Sequence, residues 1–494
     1  MTLLPDLDMD IDLMGAQPAL FKLYTQLALF FPLSEGQGQV PASRDTTVIT
    51  AIITAGLAGL AKTFPWVAGQ VVDVNANANS HSDDSDSDVT AKPPLYRIRP
   101  YEPVPQCIVR DYTSDAEIPS ASQIADAGFP MRMLGEETWA PCPTLAALGF
   151  DPRKASGEDD RPAPVMLVQI SYIRGGIVLC VNLQHNVCDM MGQAAVIGWL
   201  AKACAGEEFT KEERKVGNMV RTGVVPLIED EGWVPGVELR NQLFLPATTV
   251  VKEEDTAEST VAGAPVKCRW VYFDFSASSL KTLKDLATTT LPQDSTNFIS
   301  TDDALSAFIF LSVLRARQTR LPPSTPTTLA RAVDARRYLN IHPNYPGILQ
   351  NMAYTRYTLS TLLSTPLGHI AATMRHSVDP ATSDIAFRTR SLVTFLAQSP
   401  DNAAKTSPTA TLDMSVDVAL SSWTKVPAYE WDFGLGLGKA VAVRRPGFVP
   451  VEGLVYLMPK SGDGSVAVAM CLREEDLEGL RRDGEWGRMA TYVG

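Results

Sequence analysis

Between Val165 and Leu183 the chain carries two apolar runs, Val165 to Ile173 and Ile177 to Leu183, separated only by Arg174-Gly175-Gly176. Two strand-length apolar runs joined by a glycine-bearing turn read as a β-hairpin, and runs this apolar read as buried strands. The second run leads into Gln184-His185-Asn186-Val187-Cys188-Asp189, and from Gly192 the pattern turns helical, with Ala195, Val196, Trp199, Leu200 and Ala203 before a stop at Gly206. His185 therefore stands where a buried strand gives way to a helix.

Other elements can be placed around this hairpin. Val48, Ile52, Ile53, Leu57 and Leu60 give helical spacing over 46–64, stopped by Phe64-Pro65-Trp66, and Ala68 to Val72 enters a strand. The small, acidic tract Asn75 to Thr90 reads as a mobile surface loop. Residues 206–267 gain Glu, Lys, Pro and Gly and lose periodicity, although Thr210 to Glu213 fits a capping box. Arg269 to Phe275 alternates as a strand, and Ser300-Thr301-Asp302-Asp303 offers an N-cap to a long apolar helix, Ala304 to Arg315. Strands over Gly453 to Met458 and Ser465 to Leu472, then a helix from Glu474 to Arg482, close the chain. The expected organisation is a first domain over 1–205, a crossover over 206–267 and a second domain over 268–494. Strands and helices mix without regular alternation, which favours a mixed α/β (α+β) class over a doubly wound sheet.

With 494 residues, the chain is long enough for two cores and a cleft between them. A net charge of -13 argues against nucleic acid as a partner but leaves room for a local cationic patch that holds a small phosphorylated molecule. Seven scattered cysteines, none in a C-x-x-C pair, signal neither a disulfide framework nor a zinc site. The acidic amino terminus lacks the charge of a secretory signal, so a cytoplasmic protein is expected. The run Thr47 to Ala61 is short for a membrane span and reads as a buried helix.

Only five histidines are present, so the search for a base that titrates near neutrality is short. His185 is either that base or a hydrogen-bonded core residue. Four residues on, Asp189 either sits beside the imidazole or turns away to brace the loop against an arginine. Cys188 is too close in sequence to form a usual thiol–imidazole pair, and His81 among aspartates is a poor metal site. In Asp432-Phe433-Gly434-Leu435-Gly436-Leu437-Gly438-Lys439 the alternate glycines allow a close approach to a ligand or a tight turn, with Lys439, Arg444 and Arg445 supplying charge nearby. After Val333-Asp334-Ala335, a buried Arg336 needs a carboxylate, and Asp189 and Asp432 are the candidates.

Taken in order, Phe64-Pro65-Trp66-Val67-Ala68-Gly69, His185-x-x-x-Asp189, Val333-Asp334-Ala335-Arg336 with Tyr345, Gly347 and Asn351, Ser421-Ser422-Trp423, and Asp432-Phe433-Gly434-Leu435-Gly436 resemble the BAHD superfamily of acyl-CoA-dependent acyltransferases. Met190 and Met191 before Gly192, and Leu435 where plant members carry tryptophan, resemble its fungal branch, which contains the trichothecene 3-O-acetyltransferases. The resemblance implies two chloramphenicol-acetyltransferase-like domains with a tunnel between them. Acyl-CoA would be a co-substrate, with no permanently bound cofactor, and a small-molecule alcohol the acceptor; the protein would be a monomer. His185 would be the general base, Asp189 a loop brace held by Arg336, and the indole N–H of Trp423, with Ser422 nearby, the donor to the oxyanion. Ser300, Thr301, Gly434, Gly436 and Lys439 would contact the acyl-CoA, while Asp432 shapes its loop. The expected reaction is O-acetylation of a fungal terpenoid or polyketide alcohol. The rival readings are a condensation-like enzyme that draws its acyl group from a carrier protein, against which Gln184 stands where such enzymes have histidine, and an inactive binding protein on the same fold.

Overall fold

The computed structural model describes residues 7–33, 46–76, 92–148, 161–244, 266–293 and 298–494. Met166–Ile173 and Gly176–Gln184 form the antiparallel hairpin, and Gly175 takes the positive φ of 73° that closes its turn. Every residue of both strands is buried, so the pair must lie at the centre of a covered sheet. That sheet has five strands in the order Ala442–Arg444, Tyr24–Pro32, Gly176–Gln184, Met166–Ile173, Gln106–Asp111. Its outermost strand comes from the far half of the chain and pairs Val443 with Leu29, so the sheet is shared across the crossover at 206–267.

The helix over Thr46–Thr63 lies against the helix Met190–Cys204. Ile49, Ile53, Gly56, Leu57, Leu60 and Ala61 are buried, whereas Ala51, Thr54, Ala55 and Lys62 are exposed, so the expectation of a buried helix holds for one face only. Its 18 residues exceed the run read from sequence, and on length and composition alone it passes for a membrane span. Its apolar face is nonetheless packed on its own protein, where a Cβ at Gly56 would come 2.2 Å from Cys204 Sγ.

The second sheet has seven strands in the order Gln350–Thr358, Pro326–Asp334, Val418–Ser422, Leu454–Leu457, Val466–Arg473, Cys268–Phe275, Thr491–Tyr492. Period-2 alternation gives it two faces. Along Cys268–Phe275, Trp270 and Tyr272 join the core around the hairpin, while Val271, Phe273 and Phe275 join a second core under the helices Ala277–Thr289, Thr301–Arg317 and Glu474–Arg482. Both expected caps form: Thr210 with Glu213 opens Lys211–Gly217, and Ser300 with Asp303 opens Thr301–Arg317. Of the polar tract Asn75 to Thr90, all but Asn75 and Ala76 lies outside the described residues, His81 included, as does 245–265 of the crossover.

The two sheets approach each other where the helix Met190–Cys204 begins. A Cβ at Gly192 would lie 2.2 Å from the Pro346 carbonyl oxygen, a contact only glycine permits. Gly192→Ala is expected to lower stability by about 1–3 kcal/mol through overpacking. Denaturant unfolding of both proteins measures this, and an unchanged midpoint would show that the Pro346 segment gives way.

Candidate active site

The site is built from the turn that follows the hairpin. Gln184 anchors it: Nε2 donates to the Ala163 carbonyl at 3.0 Å and Oε1 accepts from the Lys22 N–H at 3.2 Å. The residue that replaces the rival class's histidine is thus committed to the scaffold. The His185 N–H donates to the Leu23 carbonyl at 2.7 Å, and Nδ1 of the ring lies 3.2 Å from the Cys188 carbonyl. A carbonyl only accepts, which assigns the proton to Nδ1 and leaves Nε2 with its lone pair. Burial pushes the imidazole below its ordinary value of 6.5; the Cys188 carbonyl and Asp189 oppose the shift, and Arg445 adds to it. Burial and the Nδ1 contact together favour the neutral ring.

Asp189, 2% exposed, turns away from the imidazole. Oδ1 accepts from the Gly192 N–H at 2.8 Å and caps the helix, and Oδ2 accepts from the Leu349 N–H at 2.7 Å. Arg336 takes both oxygens in a fork, Nη2 to Oδ1 and Nη1 to Oδ2, each at 2.9 Å. The same guanidinium donates to the carbonyls of Tyr345 and Gly347 at 3.0 and 2.7 Å and to Asp334 at 2.8 Å. Of the two carboxylates open from sequence, Asp189 is the partner of Arg336; Asp432 is not.

A second buried ion pair braces the same turn, and sequence reasoning missed it. Arg221 Nη1 donates to Asp12 Oδ2 at 3.0 Å and to the Val187 carbonyl at 2.6 Å, while the Tyr345 hydroxyl donates to Asp12. Asp12 lies within an acidic amino-terminal stretch, and Arg221 within the segment read as crossover. Nothing local distinguishes either from a solvated charge.

Two cavities share a wall at Met190, Ser421 and Trp423, and one of them opens on His185. The larger, about 320 Å³, is lined by His185 and largely apolar residues such as Leu20, Leu23, Met352, Leu392 and Leu454. The smaller, about 240 Å³, carries Arg337, Arg375 and Lys425 beside Ser300, Asp302 and Asp334. Met190, Ala332, Gln350, Ser421 and Trp423 line both, so the cavities join across the end of the strand Val418–Ser422.

This arrangement corrects several expectations. The Trp423 indole N–H is engaged, donating to Ser421 Oγ at 3.0 Å. Alternate strand residues share a face, so Ser421 lies with Trp423 on the seam, and Ser422 turns away to donate to Asp302. Ser421 was the residue missed, although the period-2 rule applied to Ser421-Ser422-Trp423 singles it out. Ser300 lines the smaller cavity with its side chain bound to Asp303, and Thr301 does not line it. Gly434, Gly436 and Lys439, expected against acyl-CoA, line neither cavity. Gly434 and Gly436 adopt φ of 64° and 69° to make a tight turn, and Asp432 Oδ1 accepts from the Gly434 N–H at 2.9 Å. A Cβ on Gly434 would come 2.9 Å from Ala205 Cα, which places this turn against the far end of the motif helix; Lys439 pairs with Glu430.

Residues 23–204 match the profile of the trichothecene 3-O-acetyltransferase-like N-terminal domain, and residues 134–486 match that of the Transferase family. The chain is a BAHD-family transferase. It is 41% identical over 487 residues to a trichothecene 3-O-acetyltransferase of Fusarium sporotrichioides, covering 99% of this chain and 97% of that one. It is 33% identical over 495 residues to the O-acyltransferase pigD of Monascus ruber, covering 98% of each. A crystal structure of the F. graminearum enzyme with coenzyme A and deoxynivalenol superposes with a TM-score of 0.85 at 39% identity, over 99% of this chain and 100% of that one. As a BAHD transferase the protein is an acyl-CoA-dependent O-acyltransferase with the family's mixed α/β fold.

In this BAHD protein, removal of Asp189 strips the buried Arg336 of its forked partner and leaves it only the partly exposed carboxylate of Asp334. Asp189→Ala is expected to cost about 3–5 kcal/mol in unfolding free energy. Chemical denaturation measures it; a loss below about 1 kcal/mol would show that the turn is held by its other contacts.

Proposed function

We propose that this enzyme transfers an acetyl group from acetyl-CoA to a hydroxyl of a small secondary metabolite in a ternary complex, with His185 Nε2 as the general base. The observation that carries this reading is the setting of His185: a neutral imidazole, held through Nδ1, opening on an apolar cavity that joins a cation-bearing cavity at Ser421 and Trp423. Relatives named as trichothecene 3-O-acetyltransferases, and a related structure that holds coenzyme A with T-2, support the same substrate classes.

In this reading the acceptor occupies the apolar cavity. Arg337 and the exposed Lys425 are available to the phosphates of the acyl-CoA at the other. Nε2 takes the proton from the acceptor hydroxyl as its oxygen attacks the thioester carbonyl carbon. The carbonyl oxygen gains the negative charge and accepts a hydrogen bond from the Ser421 hydroxyl, whose oxygen is polarised by the Trp423 N–H. Collapse breaks the carbon–sulfur bond, and the imidazolium returns its proton to the leaving thiolate. A covalent route through Cys188 is disfavoured, because that thiol is fully buried and burial pushes it up to about 12.

Thiol release from acetyl-CoA with a panel of terpenoid and polyketide alcohols tests this. His185→Ala is expected to lower kcat about 100- to 10,000-fold, and undiminished turnover removes the base. Only the unprotonated ring accepts a proton, and the folded pKa is depressed. Wild-type kcat/KM should therefore show an acid limb centred below 6.5; an acid limb centred above 6.5 contradicts the assignment. Turnover with a loaded carrier protein and with no CoA thioester would favour the condensation-like rival.

The oxyanion donor is tested separately. Ser421→Ala is expected to lower kcat about 100- to 1,000-fold with KM little changed. A Ser421→Ala enzyme of normal kcat would return the role to another donor.

A further inference from the structure

Two arginines are buried beside the reacting centre, and their hydrogen bonding differs. Arg336, 1% exposed, has all three guanidinium nitrogens donating to protein oxygens. Arg445, 3% exposed, has one long bond, Nη2 to Thr144 Oγ1 at 3.4 Å, and a buried Nε with no partner. Among the described residues no carboxylate lies within 4.0 Å of its guanidinium. The carboxylate it senses, Glu136, is committed to the Thr144 N–H at 2.6 Å and to Gln26 Nε2 at 2.9 Å.

Its position is nevertheless fixed. The Tyr272 hydroxyl accepts from the Arg445 N–H at 2.8 Å and donates to the Arg445 carbonyl at 2.9 Å. Aromatic rings wall the guanidinium, with centroids at 4.4 Å for Phe448, 4.6 Å for Tyr456 and 5.7 Å for Trp423. Stacking holds a cation by its faces and leaves the N–H groups at its edge for other acceptors. Arg445 lines the larger cavity with His185 and does not line the cation-bearing one. It is the only aspartate, glutamate, lysine or arginine in that lining among the described residues. A guanidinium buried with few partners is costly, and in a largely apolar cavity the missing partner has to be brought by the ligand.

We propose that Arg445 recognises the acceptor by donating to a carbonyl-type oxygen, a ketone, lactone or carboxylate, on the molecule whose hydroxyl His185 deprotonates. The planar fork suits the in-plane lone pairs of such an oxygen, and an alcohol without one leaves the guanidinium unpaired. Arg445 is thereby a specificity-determining residue for the transfer. This rests on the reading above that the His185 cavity holds the acceptor.

The test uses pairs of alcohols that share a carbon skeleton and differ by one ketone, with kcat/KM measured for acetyl transfer by the wild-type enzyme and by Arg445→Met. The wild type is expected to prefer the ketone-bearing member about 10- to 100-fold, the range of one buried hydrogen bond to a charged group, and Arg445→Met is expected to bring the ratio close to one. A wild-type ratio of one overturns the proposal without any variant. So does a ratio that survives in Arg445→Met, or an equal loss on both alcohols, which would mark Arg445 as a general electrostatic or structural group. If Arg445→Met does not fold, Arg445→Lys keeps the cation and loses the fork; a ratio reduced several-fold supports the proposal, and an unchanged one overturns it. His185→Ala tells the two readings apart, because full activity there defeats the proposed base whatever Arg445 does.

Discussion

The forked ion pair between Asp189 and Arg336 is the interaction on which the site depends. Asp189 belongs to the turn after the hairpin, and Arg336 follows the strand Pro326–Asp334 of the other sheet. One bidentate contact thus fixes the start of the motif helix, the end of a strand and the mutual position of the two sheets. Its geometry explains the four-residue spacing from His185. That spacing lets the carboxylate point into the second sheet while the imidazole points into the cavity, so the aspartate positions the base without touching its proton.

A single pair anchors a turn at one point and leaves it free to pivot. The Asp12–Arg221 pair supplies the second point by taking the Val187 carbonyl on the same turn. The two pairs interlock through residues 345–348. Arg336 donates to the Tyr345 and Gly347 carbonyls, while Asp12 accepts from the Tyr345 hydroxyl and the Ile348 N–H. The missing side chain of Gly347 makes this possible, since a Cβ there would lie 2.3 Å from Asp12 Oδ2. Buried ion pairs are weak sources of net stability, but they are demanding about geometry. The two pairs together hold the turn that carries His185 from two sides, the rigidity that the proposed general base would need.

What was legible in the sequence is what short-range physics decides. The hairpin, the caps at Thr210 and Ser300 and the closing helix Glu474–Arg482 stand where their residues imply, because turn chemistry, capping and periodicity are local. The motif histidine was legible for a related reason: it ends a buried strand. The strand Ala442–Arg444 was not, since three residues carry no periodicity and its partner lies some four hundred residues away in sequence. The glycine-rich turn misled because positive φ serves a ligand-binding loop and a tight structural turn equally well. Only the packing of Gly434 against Ala205 separates the two. Trp423, expected as the oxyanion donor, lines the seam, but a sequence does not say whether an indole N–H is already bound.

In the proposed reaction, charge placement would divide the labour between the two cavities. The smaller gathers cations with carboxylates close by, a mixed surface that can hold a polyanionic tail and still be stable when empty. The larger has one fixed charge, Arg445, stacked among rings and short of acceptors. That cation also acts on His185, where it adds to the larger effect of burial in disfavouring the protonated ring. In the proposed reaction, an acceptor oxygen hydrogen-bonded to Arg445 would draw on its positive field, and a carboxylate would offset it, so the imidazolium formed in the transfer would be less opposed. On the proposals made above, recognition of the acceptor and basicity of His185 would thus be coupled through one guanidinium, in the direction that favours proton transfer when an acceptor is in place.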